Sequence, residues 1–322
     1  MIVTVTPNPN LDRTIHLRSF RHGQTNRAEH GPTVHPSGKG VNVARALARN
    51  GHPTAAIFPA GGKTGEHLQA LLRQEGVPFA ATPVAGNVRW VISLIEPGGV
   101  LTQINEPGPP LSSGETDLLL EEAERAARHA TFVAAAGSLP PGHRGELYAA
   151  LITALGEAGV PVALDTGGAA LLAALQARPA LVKPNLDELA EAAGTRPATL
   201  GEVIRAAEEL RRQGAGTVLA TLGSDGAVLL DQSGALHGES RPEPLRNPVG
   251  AGDALLAGFL AGGGGPGGLA EGLAWAAAAC REPDTMPPLV TPQDRAGVTI
   301  HDQITSRREL APPDATDSGK RR

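Results

Sequence analysis

The sequence predicts a doubly wound α/β protein, with a mostly parallel sheet flanked by helices and a small β-sheet lid. Three observations carry this. From about residue 114, short apolar runs alternate with amphipathic stretches, which is the order of βαβ units. Two separated polar, β-like segments, about 11–36 and 87–106, stand apart from that regularity. Gly and Pro number 41 and 28 in 322 residues, which supplies many tight turns and argues against a helical bundle.

The elements follow in order. Residues 1–6 alternate Ile, Val and Thr as a strand, stopped by Pro7-Asn8-Pro9-Asn10. Residues 14–17 are short and β-like, and 19–37 read as loop or short strands. Val41, Ala44, Leu47 and Ala48 have helical spacing, and Gly51 closes that helix. A strand at 55–58 precedes a helix at 64–74 that ends at Gly76. Residues 88–95 and 101–104 form a hairpin about Pro97-Gly98-Gly99. Helices at 115–130, 146–159, 169–177, 186–193 and 202–213 then interleave with strands at 131–136, 160–164, 180–182 and 217–221. A hairpin at 227–230 and 235–238 makes the sheet mixed. Residues 251–261 form a helix, the GGGGPGG run at 262–268 a flexible connection, and 269–280 an Ala-rich buried helix. From Ser306 the chain is polar and ends Lys320-Arg321-Arg322, which reads as a disordered tail. The expected organisation is one domain over 1–305, with a lid from about 11–36 and 87–106, and a tail at 306–322.

Composition excludes several classes. Hydrophobic residues at 41% and charged residues at 19% describe a globular chain. Aromatics at 2% and a formal charge of -5 argue against a nucleic-acid partner. One cysteine, Cys280, excludes an intramolecular disulfide and a thiolate-clustered metal site. No run of apolar residues is long enough to span a membrane, and the start lacks signal-peptide character. The expected location is cytoplasmic, with no membrane partner.

In an open parallel sheet, ligands bind beyond the carboxyl ends of the strands. Gly137-Ser138, Asp165-Thr166-Gly167-Gly168, Lys183-Pro184-Asn185 and Thr221-Leu222-Gly223 all fall there. Ordinary loop polarity explains any one of them; four in succession mark a ligand edge. The sharpest feature is Asn247-Pro248-Val249-Gly250-Ala251-Gly252-Asp253, directly before an apolar helix. Glycines at a helix start aim backbone N–H groups at an anion. Asp253 is in the first turn, where acids are also common for dipole reasons. A carboxylate beside an anion cradle repels the anion, an arrangement that makes sense if it takes a proton from a hydroxyl attacking a phosphoryl group. The second feature is Pro36-Ser37-Gly38-Lys39-Gly40-Val41-Asn42. It fails the P-loop spacing, because Gly40 follows Lys39. It is either a solvated turn or a contact to phosphate or hydroxyl groups.

These motifs, with AGSLPPG (136–142), VKPNLDEL (182–189) and TLGSDGA (221–227), resemble the ribokinase/PfkB family of sugar kinases over nearly the whole chain. The resemblance implies a ribokinase-like fold and transfer of the ATP γ-phosphoryl group to a sugar hydroxyl with Mg²⁺. It also implies a lid that can make a homodimer. By resemblance Asp253 is the catalytic base, and the backbone of Gly250, Ala251 and Gly252 is the anion hole. Asp12, Gly38, Lys39, Asn42 and Ser138 face the substrate. Asn185 and Glu188 form the N-x-x-E signature, with Glu188 reaching the metal through water. Lys183, Thr221, Gly223 and Gly226 take ATP. The TPNPNLD start, Thr25-Asn26-Arg27 and the GKG turn are similar to the 1-phosphofructokinase and tagatose-6-phosphate kinase branch. A substrate that already carries a phosphate needs cations, and Lys39, Arg27 and Arg89 are the candidates. The segment IFPAGGKTGEHLQALL resembles the minor, PfkB-type 6-phosphofructokinase, whose lid Lys is Gln24 here. The expected reaction is therefore fructose 1-phosphate to fructose 1,6-bisphosphate, with the tagatose 6-phosphate and fructose 6-phosphate activities as alternatives. An inactive sugar-phosphate sensor on the same fold is the alternative of a different class. His16, His22, His30 and His35 are expected at the surface.

Overall fold

The computed structural model describes residues 1–98, 100–241, 244–282 and 286–311. β1 (Ile2–Val5) is an interior strand of the main sheet, and the chain leaves it for β2 (Asn10–His16) and β3 (Thr33–Ser37). It returns through α1 (Lys39–Arg49) to β4 (Thr54–Ala60), then α2 (Gly62–Gln74) and β5 (Phe79–Pro83). A second departure makes β6 (Arg89–Ile95) and β7 (Leu101–Asn105). From α3 (Ser113–Ala127) the alternation is regular. It runs through β8 (Phe132–Ala136), α4 (Glu146–Glu157), β9 (Val162–Asp165), α5 (Gly168–Leu175) and β10 (Leu181–Val182). It continues with α6 (Leu186–Ala193), α7 (Leu200–Gln213) and β11 (Thr217–Thr221). β12 (Ala227–Asp231), β13 (Gly234–Ser240), α8 (Ala251–Ala261), α9 (Gly265–Arg281), α10 (Pro292–Ala296) and β14 (Val298–His301) complete the described chain.

Among the described residues the main sheet has the order β14-β13-β12-β11-β10-β9-β8-β1-β4-β5. Strands from β5 to β11 pair in parallel, while β12, β13 and β14 pair antiparallel at one edge. The sheet is therefore mixed, as the 227–238 hairpin predicts. β1 lies between β4 and β8, so the chain order reverses there and opens a crevice at the carboxyl end of β1. One face buries Leu119, Leu151, Leu189 and Val203 from α3, α4, α6 and α7. The other buries Val43, Leu47, Leu256 and Trp275 from α1, α8 and α9. With both faces covered, the central strands carry apolar side chains at nearly every position.

The two β-like excursions meet. β2 pairs parallel with β6, in register Asp12↔Val91, and β3 and β7 flank them antiparallel. They form a separate four-stranded sheet from the two segments expected to make a lid. Pro36 is tolerated because β3 is an edge strand.

Four differences from the sequence reading have physical reasons. β5, spelled FAATP, was too Ala-rich and short to announce itself, and it is held as an edge strand by β4. α10 and β14 follow a Pro-rich stretch whose pattern is weak; their Thr291 capping box and pairing with β13 are tertiary products. The 262–268 run is not wholly a connection, since α9 begins at Gly265 with a Pro in its first turn. A β-carbon at Gly258 or Gly272 would meet backbone of the facing helix at 2.9 and 2.7 Å, so glycine lets α8 and α9 pack at close range. Finally, residues 306–311, expected to be disordered, are hydrogen-bonded to the start of α7. The rest of the expected tail, 312–322, and Gly99 of the expected hairpin turn lie outside the described residues.

Candidate active site

The crevice at the end of β1 is a cleft of about 950 Å³ between the sheet edge and the lid. Its wall brings together Asp12, Gly38, Lys39, Asn42, Arg89, Ser138, Gly250, Gly252 and Asp253, all named from sequence. Three stretches bring them there. The turn before α1 approaches the end of β1 so closely that a β-carbon on Gly38 would lie 2.9 Å from Thr6 and one on Gly40 2.4 Å from it. Gly38 also has a φ of 120°, which an L-residue resists. The turn before α8 is shaped by Asn247, whose Oδ1 accepts the Val249 N–H at 3.0 Å, and by left-handed Gly250. The third stretch follows β8, where the buried Tyr148 hydroxyl donates to the Gly137 carbonyl at 2.9 Å.

Two buried carboxylates set the charge here: Asp253 lines the cleft, and Asp165 lies behind its wall, under Lys39. Asp165, at the end of β9, is fully buried. It accepts from Lys39 Nζ at 2.7 Å through Oδ1, and Lys183 Nζ lies 3.0 Å from its Oδ2. Burial pushes this carboxyl up, but the charges of Lys183 and Lys39 outweigh it and hold it below the ordinary range. Asp253, in the first turn of α8, has a neutral partner: Asn42 Nδ2 donates to its Oδ2 at 2.8 Å. Burial and the Asp165 charge push its pKa up to about 6, against the opposing pull of Lys39, Asn42 and Lys183.

Lys39 also lies 3.3 Å from Glu188 Oε1. Burial opposes its ammonium, yet the Asp165 and Glu188 charges win and raise its pKa. Its charge is thus compensated by the carboxylates of the sheet edge. Lys183 faces the start of α8, since a β-carbon on Gly252 would lie 3.5 Å from its Nζ. The Ala251 N–H is already spent on the Pro248 carbonyl at 3.2 Å. The donors left to an anion at this helix start are the N–H groups of Gly252 and Asp253, which helix geometry leaves without an acceptor.

Arg89 is the opposite case from Lys39. Its guanidinium donates to the Glu106 carbonyl at 2.9 Å, the Asn8 carbonyl at 3.3 Å and Ser138 Oγ at 3.4 Å. Its buried Nε has no partner. Among the described residues no carboxylate lies within ion-pair distance of it. Burial lowers its pKa, although the Glu106 charge works the other way. Asp12 faces the cleft from β2 and accepts from Ser93 Oγ at 3.2 Å; burial raises its pKa.

Other named residues stand elsewhere. Arg27 is exposed on the loop between β2 and β3 and is not part of the cleft wall. His35, expected at the surface, is half-buried and paired in register with Asp12. Asn185 and Glu188 form a reciprocal cap on α6, at 2.8 and 2.9 Å, so only one Glu188 oxygen remains for other work. Thr221 ends β11 beside Asn185, and Gly223 opens the 3₁₀ turn Gly223–Asp225. Gly226 touches β13, where a β-carbon would lie 2.0 Å from the Gly238 carbonyl oxygen. Sequence reasoning missed Asn8 and Asp165 as site residues. Asn8 Nδ2 donates to Pro107 O at 3.0 Å and reaches Ser138 Oγ at 3.2 Å, tying the two sides of the cleft. The signal for Asp165 was its place in the polar rim; nothing in the sequence says that two lysines converge on it.

No helix among the described residues is long and apolar enough to cross a membrane. Residues 7–284 match the pfkB family carbohydrate kinase. The chain is 36% identical over 262 residues to a 1-phosphofructokinase of Bacillus subtilis, covering 81% of this chain and 85% of that protein. It is also 36% identical over 263 residues to an ATP-dependent 6-phosphofructokinase isozyme 2 of Mycobacterium tuberculosis, covering 81% and 77%. The crystal structure of phosphofructokinase-2 from Escherichia coli in complex with substrates and products superposes with a TM-score of 0.83. That likeness has 32% identity and covers 92% of this chain and 97% of that one.

Proposed function

We propose that this chain, which belongs to the pfkB family of carbohydrate kinases, transfers the γ-phosphoryl group of ATP to a hydroxyl of a ketohexose phosphate. The preferred reaction is fructose 1-phosphate to fructose 1,6-bisphosphate. The observation that carries the sugar-phosphate reading is Arg89, a cleft cation with no carboxylate at ion-pair distance among the described residues, on the lid side of the base. Lys39, the other candidate cation, is already neutralised by Asp165 and Glu188.

In this reading the sugar lies under the lid, with its phosphate on Arg89 and Ser138 and a hydroxyl near Asp12. Ionised Asp253, held by Asn42, takes the proton of the attacking hydroxyl. The N–H groups of Gly252 and Asp253, with Lys183 and Lys39, face the charge that develops on the transferring phosphoryl. The nucleotide lies along Asn185, Thr221 and Gly223. Among the described residues no group of three carboxylate, His or Cys side chains could hold a metal directly. Glu188, with one oxygen in the α6 cap and the other on Lys39, suits contact through water with a cation bound mainly by phosphate oxygens. Mg²⁺ bound so would neutralise phosphate charge.

A homodimer through the lid and a cytoplasmic location belong to the same proposal. The exposed Ile104 on β7 supports the first, because the lid offers apolar surface outside the cleft.

The test is ADP release with ATP and, in turn, fructose 1-phosphate, tagatose 6-phosphate, fructose 6-phosphate and unphosphorylated fructose. The highest kcat/KM is expected with fructose 1-phosphate. Equal turnover of fructose would remove the role of Arg89. Preference for fructose 6-phosphate would favour the second reading, which the Mycobacterium relative supports. Binding without ADP release would favour a sensor. Arg89→Gln is expected to raise KM for the sugar phosphate by about 10- to 100-fold, the effect of losing one charged hydrogen-bonding partner, and to spare kcat.

A further inference from the structure

We infer that residues 305–311 form a strap whose Arg308 and Ala311 fix the turn 222–226 through Asp225, making Asp225 and Arg308 positioning residues for the nucleotide. The inference rests on the reading above that this turn borders ATP. The strap lies beyond residues 7–284, the segment matched to the family.

The strap first satisfies α7. The Leu200 and Gly201 N–H groups, which no helix can bond internally, donate to the carbonyls of Arg308 and Ser306 at 3.0 and 2.9 Å. Leu310 N–H donates to the Ala198 carbonyl at 2.9 Å, and Thr199 bridges antiparallel to Glu309. Having been fixed there, the strap reaches the turn. Asp225 Oδ2 accepts the Ala311 N–H at 2.7 Å, and Arg308 Nη2 lies 3.5 Å from Asp225 Oδ1. The same nitrogen lies 2.8 Å from Glu239 Oε2 on β13, so Arg308 joins the turn to the edge of the sheet.

The turn itself is closed by Leu222 N–H to the Gly226 carbonyl at 2.8 Å and Gly226 N–H to the Gly223 carbonyl at 3.1 Å. The His237 ring donates through Nε2 to the Asp225 carbonyl at 2.8 Å. Gly226 packs on Gly238 from below. The side chain of Asp225 thus engages the strap, while Thr221 and Gly223 remain at the sheet edge beside Asn185. Without the strap, the carboxylate of Asp225 loses both its side-chain partners and the turn gains freedom that a ligand must remove on binding.

The experiment uses the full chain with Arg308→Ala and Arg308→Lys, measuring steady-state kinetics and amide hydrogen exchange with and without ATP. Arg308→Ala should raise KM for ATP by about 10-fold, with kcat at saturating ATP and KM for the sugar phosphate within about twofold of wild type. Arg308→Lys, which keeps the charge and loses the fork, should give a smaller rise in the same constant. In the wild type ATP should slow exchange over 221–226, and Arg308→Ala should weaken that protection. If ATP leaves exchange at 221–226 unchanged in the wild type, the nucleotide reading fails. If ATP protects that stretch but both variants keep the wild-type KM for ATP, the strap inference fails and the nucleotide reading stands. A parallel fall of kcat, both affinities and Tm would reduce Arg308 to a prop of the fold and also overturn it. Should Arg308→Ala not fold, Arg308→Lys decides by the same criteria.

Discussion

Asp165 and Asp253 are both buried, Asp253 in the cleft wall and Asp165 behind it, and their surroundings push them in opposite directions. Asp165 closes a strand between two lysines and is held ionised. Asp253 opens a helix, has an amide for a partner, and has its pKa pushed up to about 6. The difference teaches that burial alone does not make a base. A carboxylate clamped by cations is a poor proton acceptor, whereas one held by a neutral donor keeps its affinity for a proton and its position. The Asp165 charge contributes twice, by organising Lys39 and Lys183 and by raising the proton affinity of Asp253.

The strongest way to break this comparison is Asp253→Asn. It should lower kcat by on the order of 10² to 10⁴, the range for loss of a general base. The same change should stabilise the protein. A carboxyl whose folded pKa is raised binds its proton more tightly when folded, so stability falls as pH rises from about 4 to about 6. Asn removes that penalty, by about 1–3 kcal/mol near pH 7.5. Denaturant melts of both proteins at pH 4 and 7.5 check it, and a variant that is less stable at the higher pH would contradict the assignment.

Asp165→Asn should do the reverse to stability. It leaves Lys183 buried without its counter-charge, which costs about 3–5 kcal/mol. Because Asp165 has a lowered pKa, its contribution is present above the ordinary carboxyl range and is lost as pH falls below it. In the folded fraction, the acid limb of kcat/KM should move to lower pH, since a charge that raises the Asp253 pKa has gone. An unmoved limb would separate the two acids.

A smaller effect tests the wild type itself. With ATP and sugar phosphate below saturation, kcat/KM should fall as pH drops through about 6, where Asp253 of the free enzyme takes up its proton. Smaller still, Asn42→Ala should cost about 10-fold in kcat, because it removes one hydrogen bond to the ionised base. It should also move the acid limb upward. A rise in the sugar KM with the limb in place would leave Asn42 a sugar contact only.

The chain's own pattern determined the alternating α/β order, the lid from two separated segments, and the two glycine turns with Lys39, Asn42 and Asp253. These are local properties: apolar periodicity marks strands and helices, and glycine before a helix marks an exposed amide end. The tertiary structure decided which charges meet. Lys39, Asp165 and Lys183 are separated in sequence and converge because α1 starts, and β9 and β10 end, at the same sheet edge. It also decided that Arg27 stays outside the cleft while Arg89 enters it, and that 306–311 docks instead of fraying. Ion pairing and burial depend on distances through space, and no spacing along the chain encodes them.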